Sequence, residues 1–332
     1  MRLKCLALIL IGISLGLNGC KKSADAGANQ RQIAVIAKST GNSYWEAVHA
    51  GAQQAADEEK VHIIWTGPES EDKHTQQANI VDNMVNRGVA GIVIAPTNYD
   101  ALVRPVESAV AKGVPVVLID STLHSTKPIC VVATDNYAAG RQAADALAAA
   151  IGDKKPFGGK VLMLRYLEGS GSTEAREKGF TDRIKELGFT IADAKYVKGT
   201  GSVTDAGDTA DALLLGVTND QHVAQVDGIF ASNQPMAIGM MKKIAQKKQS
   251  GVTITAPFVG FDACPDLLAG IRSGEVAAVV TQDPRQMGYQ GVKAMVAHLN
   301  GKPVEPTIAT KTATVTKANI DKPEIKAITL EP

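Results

Sequence analysis

Short apolar runs alternate with helix-spaced stretches along nearly the whole chain. The runs that read as strands are 33–37, 62–65, 91–95, 114–119, 129–133, 160–164, 190–196, 228–231, 253–259 and 276–280. Between most of them lie Ala-rich segments with apolar residues at helical spacing. Ile80, Met84 and Val85 mark one such helix within 72–87, and 46–60 and 138–151 are others. Asp135 and Asp205 stand where polar caps open helices. Gly88, Gly113 and Gly188 stand just before strands, where glycine ends the preceding helix. Strand and helix in alternation predict an α/β fold with parallel sheets covered on both faces. Residues 89–96 and 226–233 look like copies: each is an apolar run that ends in polar residues before a helix. Two similar lobes built on one plan would leave such a trace.

The segment leading into the 46–60 helix carries the most conspicuous chemistry. Ser39-Thr40-Gly41-Asn42-Ser43-Tyr44-Trp45 joins a buried strand to that helix. In open α/β sheets, ligands bind in the crevice at the carboxyl ends of strands. Asn42 either caps the helix over two core aromatics or offers a donor and an acceptor to a ligand. The chain has only six Phe, six Tyr and two Trp, which makes adjacent aromatics beside polar residues stand out. Other polar residues recur at strand ends. Asp120 and Ser121 follow one strand, Asn233 another, and Asp262 and Gln282 two more, while Arg176 lies in a helix start after the loop 168–173. Two carboxylates, two amides, a guanidinium and two aromatics at one edge suit a polyol. Each hydroxyl of a sugar donates and accepts, and these groups supply both roles.

Composition narrows the function classes. The 332 residues suit two domains at roughly 150 each. A net charge of +1 without a basic block excludes the electrostatic footprint of a nucleic-acid binder. Arg2 and Lys4 precede an apolar run, 6–17, that is too short to span a bilayer comfortably. Leu17-Asn18-Gly19-Cys20 then resembles a bacterial lipobox. That implies a signal peptide over 1–19 and a lipid on Cys20, exporting the chain and anchoring it to a membrane on the periplasmic or extracellular side. Residues 20–32 read as a flexible tether. Cys130 and Cys264 remain; an exported protein can pair them, but they fall in different parts of the molecule and read as buried free thiols.

Seven motifs carry a family resemblance. They are 39–45, Leu118-Ile119-Asp120, Thr134-Asp135-Asn136, Glu174-Ala175-Arg176-Glu177-Lys178-Gly179-Phe180, Phe230-Ala231-Ser232-Asn233, Val259-Gly260-Phe261-Asp262 and Thr281-Gln282-Asp283-Pro284. In this order the chain resembles the periplasmic sugar-binding proteins of the ribose-binding type, type I periplasmic binding proteins that are substrate receptors of ABC importers. The resemblance implies two doubly wound parallel-sheet lobes joined by three hinge crossings. One lobe would hold 31–133 plus 283–311 and the other 134–282 plus 312–332. Crossings would fall near 133–135, 282–283 and 311–312. It further implies a cleft lined by Asn42, Tyr44, Trp45, Asp120, Arg176, Asn233, Asp262 and Gln282. The implied ligand is a carbohydrate, the implied partners are a permease and an ATPase, and the chain would act as a monomer without a cofactor or metal.

Departures from the pattern add two candidates. Ribose binders carry Arg where Ser121 stands and Ser where Lys38 stands, and Gln234-Pro235 replaces an acidic residue. Lys38 and Ser121 therefore join the candidate site, and a ligand other than ribose is expected. Alternatively, Lys38 points to solvent and water fills the gap at Ser121.

Other classes find less support. No phosphate-binding G-x-x-x-x-G-K-[ST] loop or metal-spaced His pair is present, and no G-x-S-x-G elbow follows any of the expected strands, the string at 12–16 lying within the leader's apolar run. An Asp120/Asp262 glycosidase dyad has no separate support. A regulator of this fold would need a helix-turn-helix where the leader stands. A receptor for a signalling ligand of autoinducer type, or for a nucleoside, is the alternative within binding proteins.

Overall fold

The computed structural model describes residues 30–152 and 158–329. The leader, Cys20 and the tether up to residue 29 lie outside the described residues.

The strands are β1 (Gln32–Ile36), β2 (His62–Thr66), β3 (Gly91–Ile94), β4 (Val116–Ile119), β5 (Val131–Ala133), β6 (Lys160–Arg165), β7 (Thr190–Tyr196), β8 (Gly228–Ala231), β9 (Phe258–Phe261), β10 (Ala278–Gln282), β11 (Thr307–Ala309) and β12 (Thr312–Thr316). The helices are α1 (Ser43–Glu59), α2 (His74–Arg87), α3 (Val103–Ala111), α4 (Asn136–Ile151), α5 (Gly171–Glu186), α6 (Val203–Val217), α7 (Gln234–Gln249), α8 (Pro265–Ser273), α9 (Pro284–Leu299) and α10 (Pro323–Lys326).

The strands form two six-stranded sheets with one plan. One runs β11-β5-β4-β3-β1-β2 and the other β12-β10-β9-β8-β6-β7. β3 and β8 hold the same place, so the two segments that look alike in sequence are equivalent in the fold. The pairings are parallel except that β12 runs antiparallel to β10. β1 shows why the interior strands read as unbroken apolar runs. Ile33 and Val35 pack into one core, and Ala34 and Ile36 into another on the opposite face. β6 does the same with Leu162 and Leu164 on one face and Val161 and Met163 on the other.

The chain crosses between the sheets and pairs helices across its own sequence. α9 packs on α1 beside the first sheet, and α4 packs on α5 beside the second. Both pairs depend on glycine at the contact. A Cβ on Gly288 would lie 1.9 Å from the Val48 carbonyl oxygen, and one on Gly140 would lie 1.9 Å from that of Arg176.

Several sequence expectations need correction. The strand expected over 253–259 is β9, displaced to Phe258–Phe261. Pro257 lacks an N–H and biases the residue before it, and Thr253 makes only an isolated bridge to Val223. β11 and β12 have no counterpart in the expected strands, because they are short, half exposed and rich in Thr. Asp205 is not the cap of α6. Ser202 is, with Asp205 as its capping-box partner. Asp135 does cap α4, accepting from the Ala138 N–H. Gly88, at φ 76°, ends α2. Cys130 and Cys264 are both free and buried, and burial pushes the Cys130 thiol up to about 11.

Candidate functional site

Parallel strands deliver their carboxyl ends to one edge of each sheet, and here the two edges face each other. Lys38 follows β1, Asp120 follows β4, Ser170 and Ser172 follow β6, Asn233 follows β8, Asp262 follows β9, and Gln282 ends β10. They surround a polar cavity between the two edges. Lys38, Asn42, Tyr44, Trp45 and Asp120 line it from the first sheet, and Arg176, Asn233, Asp262 and Gln282 from the second. Of the sequence candidates only Ser121 stands behind the wall, buried beside Asp120.

Two aspartates anchor the edges at equivalent positions. Asp120 and Asp262 each follow the last residue of a central strand with φ of 63° and 65°. This left-handed conformation is uncommon for residues other than glycine, but Asp and Asn visit it most readily. It turns each carboxylate into the cavity. Their surroundings differ. Lys38 Nζ sits 2.7 Å from Asp120 Oδ2, while the Tyr44 hydroxyl donates to Oδ1 at 2.7 Å. Burial pushes the Asp120 carboxyl up, but Lys38 and Tyr44 outweigh it and hold it below the usual range. Asp262 accepts from Gln282 Nε2 at 2.6 Å and from the Gln234 N–H at 3.1 Å. Neither donor is charged. Burial therefore prevails over the lowering field of Arg176, and the Asp262 carboxyl is raised.

Arg176 is buried in the second turn of α5. It donates to the Ser232 carbonyl at 2.6 Å and to Asn136 Oδ1 at 2.7 Å, and its guanidinium lies 3.6 Å from the Phe261 ring centroid. Its Nε and Gln282 Oε1 are buried with no hydrogen-bond partner among the described residues. A buried polar group without a partner is expensive, and both residues line the cavity.

Asn42 serves both roles that its sequence left open. Its Oδ1 caps α1 by accepting from the Trp45 N–H at 3.1 Å, and the residue lines the cavity. Asn233 repeats this on α7, accepting from the Met236 N–H. Tyr44 and Trp45 meet edge to face, with ring centroids 5.0 Å apart. Burial first, then the nearby Asp120 and Asp262 charges, keep the Tyr44 hydroxyl protonated as a donor.

Lys38 is buried, which overturns the alternative that it points to solvent. Behind it, the fully buried Gln77 donates to the Ala37 and Ala95 carbonyls and accepts from the Thr97 N–H. It thereby ties the ends of β1 and β3 together and fixes where Lys38 leaves the strand.

Sequence reasoning missed Glu71, Tyr166, Ser170, Ser172 and Thr173 on the cavity wall, and noted Gln234 and Pro235 as a departure without placing them there. The serines and Thr173 belong to the polar loop before Arg176, a usable signal. Glu71 lies in a run of acidic residues where nothing singles it out; it accepts from Trp45 Nε1 at 3.0 Å. Burial raises its carboxyl, against the opposing field of Lys38.

The family model of the periplasmic binding protein domain matches residues 33–303. The ribose import binding protein of Haemophilus influenzae is 30% identical over 313 residues, covering 92% of this chain and 97% of its own. The D-allose-binding periplasmic protein of Escherichia coli is 27% identical, covering 82% and 86%. A carbohydrate transporter solute-binding protein of Agrobacterium radiobacter, solved with D-arabinose, is 36% identical with a TM-score of 0.83, covering 91% of this chain and 99% of its own. An ABC transporter solute-binding protein of Agrobacterium vitis, solved with D-fucose, is 36% identical with a TM-score of 0.82, covering 90% and 99%. Two equivalent parallel sheets, a polar cavity between their strand ends and these relatives converge: the chain belongs to the periplasmic binding protein family and, within it, to the sugar-binding proteins of the ribose type.

Proposed function

We propose that this protein captures one small neutral sugar in the cavity between its two sheets and delivers it to the permease and ATPase of an ABC importer. The observation that carries this reading is the convergence, on one cavity, of a stacked guanidinium, three carboxylates, four amides and three aromatic rings from segments spread along the chain. Hydrogen bonds to charged groups contribute about 1.5–3 kcal/mol each. Micromolar affinity requires about 8 kcal/mol net, which a few such bonds and ring contacts reach even after ordering costs. Charge favours a neutral ligand. Lys38 is matched by Asp120 and Arg176 acts on Asp262, while Glu71 adds a third carboxylate to the wall, so an added anion would meet a site already rich in carboxylates.

Residues 31–133 with 283–311, and 134–282 with 312–332, move as two bodies in this reading. Support comes from the crossing segments, which lie side by side. The Thr310 N–H donates to the Ala133 carbonyl at 3.0 Å, and Gln282 pairs with Thr312. Upstream of the fold, a lipid on Cys20 holds the monomer at the outer side of its membrane. Cys20→Ser should release the protein or leave its leader uncut, and unaltered membrane fractionation and processing would rule the anchor out.

A thermal-shift panel of pentoses, hexoses, deoxysugars, sugar alcohols and sugar acids tests the ligand class. A bound sugar at a hundredfold excess over Kd stabilises by about 2.7 kcal/mol. A neutral sugar is expected to give the largest shift, and Arg176→Ala to weaken its binding at least tenfold. A sugar acid in first place, or Arg176→Ala within twofold of the parent, would contradict the reading.

A further inference from the structure

We infer that Lys38 is a closure residue: with Asp120, Ser170 and Ser172 it latches the two strand edges together, and it supports every sugar equally instead of reading any one. The inference rests on the sugar-binding reading above.

The hydrogen-bond inventory leads to it. A lysine ammonium has three donors. Lys38 Nζ spends them on Asp120 Oδ2 at 2.7 Å, Ser172 Oγ at 3.0 Å and Ser170 Oγ at 3.3 Å. A carboxylate has about four acceptor sites. Asp120 receives the Tyr44 hydroxyl at 2.7 Å, Lys38, the Ser121 hydroxyl at 3.0 Å and the Ser172 hydroxyl at 3.3 Å. Ser121 Oγ in turn accepts from the Ser172 N–H at 3.1 Å. Every member of this cluster is buried. The ammonium has no donor left for a sugar, and Asp120 Oδ2 is filled, whereas Oδ1 receives only the Tyr44 hydroxyl and keeps an acceptor site toward the cavity.

Position gives the cluster its role. Lys38, Asp120 and Ser121 follow strands of the first sheet, whereas Ser170 and Ser172 follow β6 of the second. The bonds therefore run from one edge to the other. A compact ammonium reaches two hydroxyls and a carboxylate at once, which a planar guanidinium does not do as readily. The opposite wall is different in kind. Among the described residues, Arg176 Nε and Gln282 Oε1 lack partners, and the Asp262 carboxylate accepts from two donors. Lys38 thus serves closure, while both edges keep groups for the sugar: Asp120 Oδ1, Asn42, Tyr44 and Trp45 on the first, and Arg176, Asn233, Asp262 and Gln282 on the second.

Small-angle scattering of the sugar-free protein tests the latch without any ligand. Lys38→Met, and separately the double variant Ser170→Ala with Ser172→Ala, should each show a larger radius of gyration than the parent. Either variant with the parent's radius while folded overturns the latch; the serine pair, which leaves Lys38 on Asp120, serves if Lys38→Met does not fold. Calorimetry with D-arabinose, D-fucose, D-ribose and D-allose tests the second half of the claim. The serine double variant should lose affinity by one common factor, at least about tenfold, with the order of the sugars unchanged. A changed order would show that the latch residues read the sugar and would overturn the claim. If the parent bound none of the four, the sugar reading would fail at these ligands, while scattering would still decide the latch.

Discussion

Asp120 and Asp262 share a position, a backbone conformation and a view of the cavity, yet their charges are stabilised in opposite senses. Asp120 is held below the usual range by Lys38 and Tyr44 after burial is overcome. Its contribution to folding is present above the unfolded value of about 3.9 and is lost as pH falls through the folded one. Asp262 is raised, chiefly by burial. The sign reverses: its contribution is complete below about 3.9 and is lost as pH rises through the folded value. Asn tolerates the left-handed backbone, so Asp→Asn isolates the charge. Melting temperature relative to the parent should rise with pH above about 4 for Asp262→Asn, and should fall on passing up through the acid range for Asp120→Asn. Parallel pH slopes for the two variants would contradict this assignment. The exchange at positions 38 and 121 also belongs to this scale. Lys38→Ser with Ser121→Arg should move the sugar preference toward ribose in a thermal-shift panel through the guanidinium added beside Asp120, whereas Lys38→Ser alone should leave the order of the sugars unchanged. If unmodified protein already ranks ribose first, the expectation of a different ligand fails.

At the scale of elements, the two helix pairs set how closely each crossing segment docks. Gly288 on α9 and Gly140 on α4 bring backbone against backbone, and an added methyl has nowhere to go. Overpacking of this kind costs about 1–3 kcal/mol. Gly288→Ala and Gly140→Ala should therefore lower the melting temperature by several degrees. Gly216, near the exposed end of α6, has open space at its Cβ position. Gly216→Ala should stabilise by roughly 0.5–1 kcal/mol, because Ala is the better helix former. Thermal melts of the three variants check this, and equal effects at all three would show that the helix contacts are looser than described. The elements themselves were legible where burial is two-sided. β3 and β8 are unbroken apolar runs because helices cover both faces of their sheets. β11 and β12 were not, because half-exposed edge strands of three and five residues leave no apolar pattern.

For the whole molecule, strand order turns scattered residues into a site. Asp120, Asn233, Asp262 and Gln282 are far apart in sequence, but each ends or follows a parallel strand, so the α/β pattern alone brings them to an edge. Sequence does not show side-chain direction. Lys38 was recognisable as a departure, yet its burial against Asp120 and its reach to the other sheet depend on two edges meeting. Glu71 and Tyr166 were invisible for the same reason. The central claim is that one sugar is gripped by both edges at once. Amide hydrogen exchange, with and without the sugar that gives the largest thermal shift, tests it most directly. Saturating sugar should slow exchange together in the segments around 38–45 and 120–122 and in those around 170–176, 232–236 and 262–264. Protection confined to one of these two sets, or appearing elsewhere in the fold, would contradict the account.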